Sequence, residues 1–227
     1  MPTMTHAEAL HIIERYCDDP ADLDMENFKD SMSRMIRASK RGTIPTLRVD
    51  SGCTKGVIIF EDADFVVKIP FTTYCGEFFQ RAESASRWDY CQREVEIYEA
   101  AERFDCSCFL AKSEYIGEIN GHPIYAQERI TNIGDYTFWY SYKYGKNTSG
   151  KVQTQARRLS DANTTYLAGF CNDVIGNMIA AYGFRRTQRF MNLCVREHTG
   201  RDWHSGNYGT TMNTDAIIFC DYSGFRD

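Results

Sequence analysis

Three short segments early in the chain, residues 46–49, 56–60 and 65–69, constrain the fold most. All three are rich in β-branched and aromatic residues, which favour extended backbone. The polar run Glu61-Asp62-Ala63-Asp64 separates the last two as a hairpin turn would, and Pro70 closes the third segment. Strands that are joined by so few residues pair antiparallel. We therefore expect an antiparallel sheet to begin here.

A second hairpin and one helix extend this region. Residues 113–119 and 122–130 have strand composition and are joined by Asn120-Gly121, a dipeptide that favours tight hairpin turns. Between the two hairpins, the apolar spacing predicts a helix over about 84–104. Its expected buried face consists of Trp88, Val95, Tyr98 and Ala101.

Two helices are expected before the sheet. Thr5 and Glu8 fit a capping box for the first helix. A second helix is predicted to follow Asp24 and to end at Gly42. The apolar face of the second helix consists of Phe28, Met32, Met35 and Ile36. The basic residues Arg37, Lys40 and Arg41 near its end suit the negative pole of the helix dipole.

Helices are expected to fill residues 153–197, with a break near Gly183, before two short strands that follow Gly200. Residues 131–150 are rich in aromatic side chains and have no regular period. The predicted fold class is α+β. The predicted regions are an N-terminal helical extension (1–42), a sheet-containing lobe (43–130), an aromatic connector (131–150) and a helical lobe (151–227).

Composition excludes several classes of protein. Of the 227 residues, 43% are apolar and 25% are charged, which is typical of a globular chain. The net charge of −5 argues against nucleic acid as the main partner. The longest apolar run is too short to cross a bilayer, and the N-terminus has no secretory pattern. The nine cysteines include no C-x-x-C pair, so we expect small buried apolar residues in a reducing cytoplasmic setting rather than a zinc site.

Oxygen-donor side chains gather near the end of the sequence. Asp202 and Asn207 lie on one predicted loop, and Asp221 follows the apolar segment 216–220. This segment is a predicted strand that can fold back beside the loop. Carboxylate and amide oxygens suit hard divalent cations, and Mg²⁺ in particular is usually bound by one or two carboxylates together with substrate phosphates. The sequence therefore predicts a magnesium site.

The spacing Asp202-Trp203-His204-Ser205-Gly206-Asn207, followed by a strand and Asp221-Tyr222-Ser223-Gly224, resembles the catalytic core of the protein-kinase-like superfamily. Its form is most similar to aminoglycoside phosphotransferases, ABC-one-type atypical kinases and phage early protein kinases. The resemblance implies a two-lobed fold, with an antiparallel N-lobe sheet plus one helix and a truncated, mostly helical C-lobe. It implies that ATP and Mg²⁺ are bound and that Asp202 orients the attacking hydroxyl.

The resemblance also assigns roles to the first half of the chain. It implies that Lys68, a lone charge in an apolar segment, holds the α and β phosphates of ATP. Glu94 on the following helix is the expected partner of this lysine. Glu96 points roughly 200° away from Glu94 around the helix, so only one of them can face Lys68. Asn207 and Asp221 are the expected Mg²⁺ ligands.

Further nucleotide contacts follow from the same resemblance. Gly52 and Gly56 occupy the position of the glycine-rich turn, where backbone N–H groups approach phosphates. The pattern is not G-x-G-x-x-G, so this element matches only approximately. Gln127 is expected near the adenine, and Glu128 is expected where the chain enters the connector.

Two alternatives to a kinase stay open. A pseudokinase would keep the fold and bind a nucleotide or a protein without transferring phosphate. A metal-dependent hydrolase using Asp202, His204 and Asp221 would leave Lys68 unexplained. No activation segment follows Gly224, so the peptide groove of ordinary protein kinases is not expected. For a kinase, the resemblance implies a hydroxyl acceptor, and the hydroxyl of a small molecule, of another protein or of the chain itself all stay open.

Overall fold

The computed structural model of the chain describes residues 4–52, 54–71, 89–131, 150–163, 172–199, 205–211 and 214–223. Within these ranges the fold is α+β, as predicted. The α-helices are α1 (His6–Tyr16), α2 (Phe28–Ser31), α3 (Ser33–Lys40), α4 (Tyr90–Arg103), α5 (Gly150–Asn163), α6 (Asn172–Tyr182) and α7 (Phe184–Arg196). The strands are β1 (Leu47–Ser51), β2 (Lys55–Phe60), β3 (Phe65–Pro70), β4 (Ser113–Ile119), β5 (His122–Glu128), β6 (Tyr208–Thr211) and β7 (Thr214–Phe219). None of the described helices is long and apolar enough to cross a membrane.

The first five strands form one antiparallel sheet in the order β1-β2-β3-β5-β4. Both predicted hairpins are confirmed. In the β4–β5 turn, Asn120 and Gly121 have φ angles of 53° and 79°. Positive φ at both central residues is the requirement of a type I′ turn, which explains why the Asn-Gly dipeptide stands there.

The two faces of this sheet differ in chemistry, because successive side chains of a strand point to opposite faces. Residues such as Ile58, Val67 and Ala126 lie on the apolar face, and they share one core with Phe28 and Met35 of the N-terminal helices. The opposite face carries polar residues of β2, β3, β4 and β5. They are Lys55, Lys68, Ser113 and Gln127.

The N-terminal helices follow the predicted pattern with one difference. Thr5 and Glu8 form the predicted capping box at the start of α1. The second predicted helix is divided into α2 and α3 at Met32, and Asp24 caps the turn before α2 by accepting from the N–H of Asn27 at 2.8 Å. Gly42 ends this region with a φ of 71°, as expected of a residue just beyond a helix.

Helix α4 confirms the predicted helix over its described part, but the predicted buried face is partly wrong. Val95 and Tyr98 are only half-buried, while Glu94 and Ile97 are almost fully buried. Trp88 lies outside the described residues, as do positions 132–149 of the predicted aromatic connector. The buried face of α4 includes Glu94 because Lys55 and Lys68 of the sheet bind its carboxylate.

The chain divides into two compact units. The first unit comprises Met1–Val95 and Ser113–Arg129, and the second comprises Glu96–Lys112 and Ile130–Arg226. The second unit has its own apolar core, in which Phe190 stacks between Phe109 at 4.6 Å and Phe219 at 5.6 Å. The predicted break at Gly183 is confirmed and separates α6 from α7.

Six described cysteines are free thiols, and four of them are buried. Cys17 belongs to the core of the first unit, whereas Cys106 and Cys194 belong to the core of the second. Burial raises the pKa of Cys17 and of Cys106 to about 12, and it raises the pKa of Cys194 well above its usual value. These cysteines therefore act as small apolar residues in the folded chain, as the sequence predicts.

Candidate functional site

The predicted lysine–glutamate pair is present in the first unit. Nζ of Lys68, on β3, lies 2.7 Å from Oε2 of Glu94, on α4. Their side chains are 6% and 1% exposed, so both charges are removed from water. Burying a charge is costly unless an opposite charge and hydrogen bonds compensate for it. The pair is therefore a specific feature of this fold and not a chance surface contact.

A second lysine, which sequence reasoning missed as a site residue, binds the other oxygen of the same carboxylate. Nζ of Lys55 lies 2.5 Å from Oε1 of Glu94, and the Lys55 side chain is 5% exposed. In the β2–β3 pairing, Val57 is opposite Lys68 and Lys55 is opposite Pro70. Lys55 and Lys68 are thus diagonal neighbours on one face of the sheet. Lys55 lies between the two glycines of the predicted glycine-rich turn, so nothing in the sequence alone places it on the same sheet face as Lys68.

Gln127 and Ser113 complete this group, which we call the buried polar cluster: Lys55, Lys68, Glu94, Gln127 and Ser113. Nε2 of Gln127 donates to Oγ of Ser113 at 2.7 Å and to Oε2 of Glu94 at 3.4 Å. Gln127 is 2% exposed, so its amide braces the carboxylate that both lysines share. Its expected role near an adenine stays a prediction. Glu128 is half-buried at the end of β5, opposite Phe65, and its role also stays a prediction.

The start of α4 is fixed against the sheet by Asp89. One carboxylate oxygen of Asp89 accepts from the backbone N–H of Gln92 at 2.9 Å, as a helix-capping residue does. The other oxygen accepts from the hydroxyl of Tyr125 on β5 at 2.5 Å. Burial and this hydrogen bond raise the pKa of Tyr125, so its hydroxyl remains a donor at neutral pH. This anchor sets the position from which α4 presents Glu94.

The two glycines of the predicted phosphate-binding turn have different surroundings. Gly52 is exposed, and its N–H donates to the carbonyl of Lys55 at 3.0 Å across the β1–β2 turn. A Cβ atom at Gly52 would meet no other atom within 4 Å. Gly56 is buried, and a Cβ atom there would overlap the ring of Phe28. Close packing therefore accounts for Gly56, and phosphate contact by either glycine stays a prediction.

The expected magnesium ligands belong to the second unit. Asn207 is 6% exposed, and its backbone carbonyl accepts a hydrogen bond from the backbone N–H of Cys220 at 2.9 Å. This bond places Asn207 beside the residue that precedes Asp221, which is half-buried. Asp202 and His204 lie outside the described residues. Among the described residues there is no cluster of three or more histidine, cysteine, aspartate or glutamate side chains that would bind a metal ion. Asn207 and Asp221 carry oxygen atoms of the kind that Mg²⁺ binds, and their role as its ligands stays a prediction.

The first unit thus assembles Lys68 and Glu94 as predicted and adds Lys55, while the second unit brings Asn207 beside the residue before Asp221. The ammonium groups of Lys55 and Lys68 share one buried carboxylate, that of Glu94. Comparisons of the chain with protein-family models, with curated proteins and with solved structures find no match in any of the three.

Proposed function

We propose that this protein is an ATP- and Mg²⁺-dependent phosphotransferase of the protein-kinase-like superfamily, which transfers the γ-phosphate to a hydroxyl of a protein or small molecule. The observation that carries the proposal is the buried pair of Lys68 and Glu94, 2.7 Å apart. An apolar residue in place of Lys68 would avoid the cost of burying its charge. A lysine oriented by a helix glutamate is well suited to holding nucleotide phosphates.

In this proposal, Lys68 contacts the α and β phosphates while Glu94 fixes its orientation. Lys55 binds the second oxygen of that carboxylate, and in this proposal both ammonium groups would serve the same phosphate chain. Gln127 holds the carboxylate in place from the neighbouring strand. The placement of α4 between β3 and β4 in the chain also supports the proposal, because kinase-like N-lobes insert their helix at this point.

The residues of the second unit take complementary roles. Asn207 and Asp221 would hold Mg²⁺, which supplies positive charge to the phosphates of ATP. Asp202 would orient the attacking hydroxyl and accept its proton. Phosphoryl transfer of this kind depends on positioning and electrostatic stabilisation and needs no covalent intermediate with the protein.

The test is the transfer of label from γ-labelled ATP in the presence of Mg²⁺, with the protein alone and with a cell lysate. We expect the wild type to label a protein or a small molecule. We expect Lys68→Met and Asp221→Asn to lower the rate by about 100-fold or more, a loss typical of removing electrostatic transition-state contacts. Lys29→Met is the matched control, because Lys29 is an exposed lysine outside the cluster.

Three results would contradict the proposal. Nucleotide binding without transfer would support a pseudokinase. Release of free phosphate that Lys68→Met does not change would support a metal-dependent hydrolase. Equal activity in the wild type, Lys68→Met and Asp221→Asn would show that the labelling does not depend on this site.

A further inference from the structure

A pocket lined mainly by arginines opens on the N-terminal helices, within the first unit. Its volume is about 390 Å³, and four of its seven lining residues are arginines. Arg34, Arg37 and Arg41 follow one another at spacings of three and four residues, which places them along one face of α3 and its end. Arg15 reaches the same pocket from the last turn of α1.

Among the described residues, only one of the four arginines has an acidic partner. Nη2 of Arg34 donates to the carboxylate of Asp18 at 2.7 Å and to the backbone carbonyl of Cys17 at 3.4 Å. In the part of the chain that the structure describes, Arg15, Arg37 and Arg41 form no ion pair. Four arginines thus line the pocket, and one of them is paired with a carboxylate, in a chain whose net charge is −5. The positive charge is local and concave.

The helix dipole favours basic residues at the end of α3, but it accounts for only part of this arrangement. Like charges three or four residues apart repel each other along a helix, so both Arg34–Arg37 and Arg37–Arg41 are unfavourable pairs. The negative end of α3 attracts cations, but Lys40 can satisfy that attraction without lining the pocket. An anion bound between the guanidinium groups would remove the repulsion.

We propose that this pocket, which we call the arginine pocket, binds a phosphomonoester dianion, carried either by a phosphorylated protein side chain or by a small molecule. Guanidinium groups bind phosphate oxygens through paired hydrogen bonds, and several of them around one concavity suit a compact dianion. A nucleic acid would need a long basic surface, which the acidic composition of the chain does not favour. This site is separate from the buried polar cluster and does not depend on the proposed transfer activity.

The test is equilibrium binding of phosphorylated probes to the full chain. Calorimetry measures the binding of O-phosphoserine, and fluorescence anisotropy measures the binding of a labelled peptide library with one fixed phosphoserine. The same library with serine and a single-stranded oligonucleotide serve as comparison probes. We expect the double variant Arg37→Gln/Arg41→Gln to bind phosphorylated probes at least tenfold more weakly than the wild type. Lys40→Gln, which removes a neighbouring positive charge outside the pocket, should bind as the wild type does.

The two sources of the phosphate group give different results. Tighter binding of the phosphopeptide than of O-phosphoserine indicates a protein ligand, and equal binding indicates a small molecule. We expect the double variant to melt at the same temperature as the wild type or higher, because repulsion along α3 is removed. If it melts lower, Arg15→Gln on the other helix replaces it as the test of binding. The proposal is overturned by the absence of binding to both phosphorylated probes, by equal weakening in Lys40→Gln, or by preferred binding of the oligonucleotide.

Discussion

At the scale of single residues, substitution of Glu94 has the largest expected effect on stability, because its carboxylate lies between two buried ammonium groups. We predict that Glu94→Gln lowers the free energy of unfolding by about 3 kcal/mol, since both lysines would lose their shared negative charge. Urea denaturation measures this loss. Glu99→Gln is the matched control, because Glu99 is exposed on the same helix and should change stability by less than about 0.5 kcal/mol. Similar losses in the two variants would show that the buried pairing is not what stabilises α4.

Gly56 is a second residue whose identity is set by a contact. We predict that Gly56→Ala lowers the free energy of unfolding by about 1–3 kcal/mol, because the new methyl group would overlap the buried ring of Phe28. Gly52→Ala is the control in the same turn region, where a Cβ atom meets nothing within 4 Å. Urea denaturation of both variants checks the difference. Adding Phe28→Leu should recover part of the loss in Gly56→Ala only, because the two residues are in contact.

At the scale of elements, the start of α1 gives a prediction that depends on pH. The N–H and hydroxyl of Thr5 donate to the carboxylate of Glu8 at 2.7 and 2.8 Å, which lowers the pKa of Glu8 below its usual value of 4.5. The stabilisation of the folded chain by the ionised Glu8 carboxylate is therefore complete above pH 4.5. It is lost as the pH falls through the lower pKa that Glu8 has in the folded chain. We predict that Glu8→Gln is less stable than the wild type at pH 7 and that this difference shrinks as the solution is acidified.

Urea denaturation at a series of pH values between 7 and 3.5 measures the Glu8 effect. Glu14→Gln serves as the matched control, because it removes an exposed carboxylate of the same helix that takes no part in the cap. The same pH profile in both variants would mean that loss of charge on α1, and not the capping box, causes the change.

Local chemistry explains which elements could be predicted from the sequence. Asn120-Gly121, Gly42 and the Thr5–Glu8 box act through a few neighbouring residues, so their structures follow from the sequence alone. The buried face of α4 depends instead on lysines 26 and 39 residues away from Glu94. Such a contact can be predicted only when strand register is known, because a shift of one residue would turn either lysine to the other face.

In the candidate site too, contacts between residues far apart in the sequence are the ones that local patterns do not predict. The pairing of Lys68 with Glu94 can be predicted because the family resemblance supplies this long-range contact. The resemblance assigns no role to Lys55, which lies between Gly52 and Gly56 in the sequence. The ring of Phe28 against Gly56 is likewise a contact between a helix and a strand that no local pattern encodes.

At the scale of the whole molecule, each compact unit has a separate apolar core and its own buried thiols. We predict that the two cores open independently. Phe190→Leu should accelerate alkylation of Cys194 and Cys106, which share its core, and leave Cys17 unchanged. Phe28→Leu should accelerate alkylation of Cys17 and leave Cys194 and Cys106 unchanged. A loss of about 1.4 kcal/mol, within the usual range for core substitutions, makes opening roughly tenfold more frequent.

The measurement is iodoacetamide labelling at pH 8 in urea below the unfolding midpoint, read for each cysteine by peptide mass spectrometry. The thiolate is the reactive form, and burial raises the pKa of Cys17 and Cys106 to about 12, so the folded protein reacts slowly at these positions. Each opening event exposes the thiol and restores its ordinary acidity, so the labelling rate follows the opening of that core. Equal acceleration at Cys17 and Cys194 in either variant would show that the cores unfold as one cooperative body.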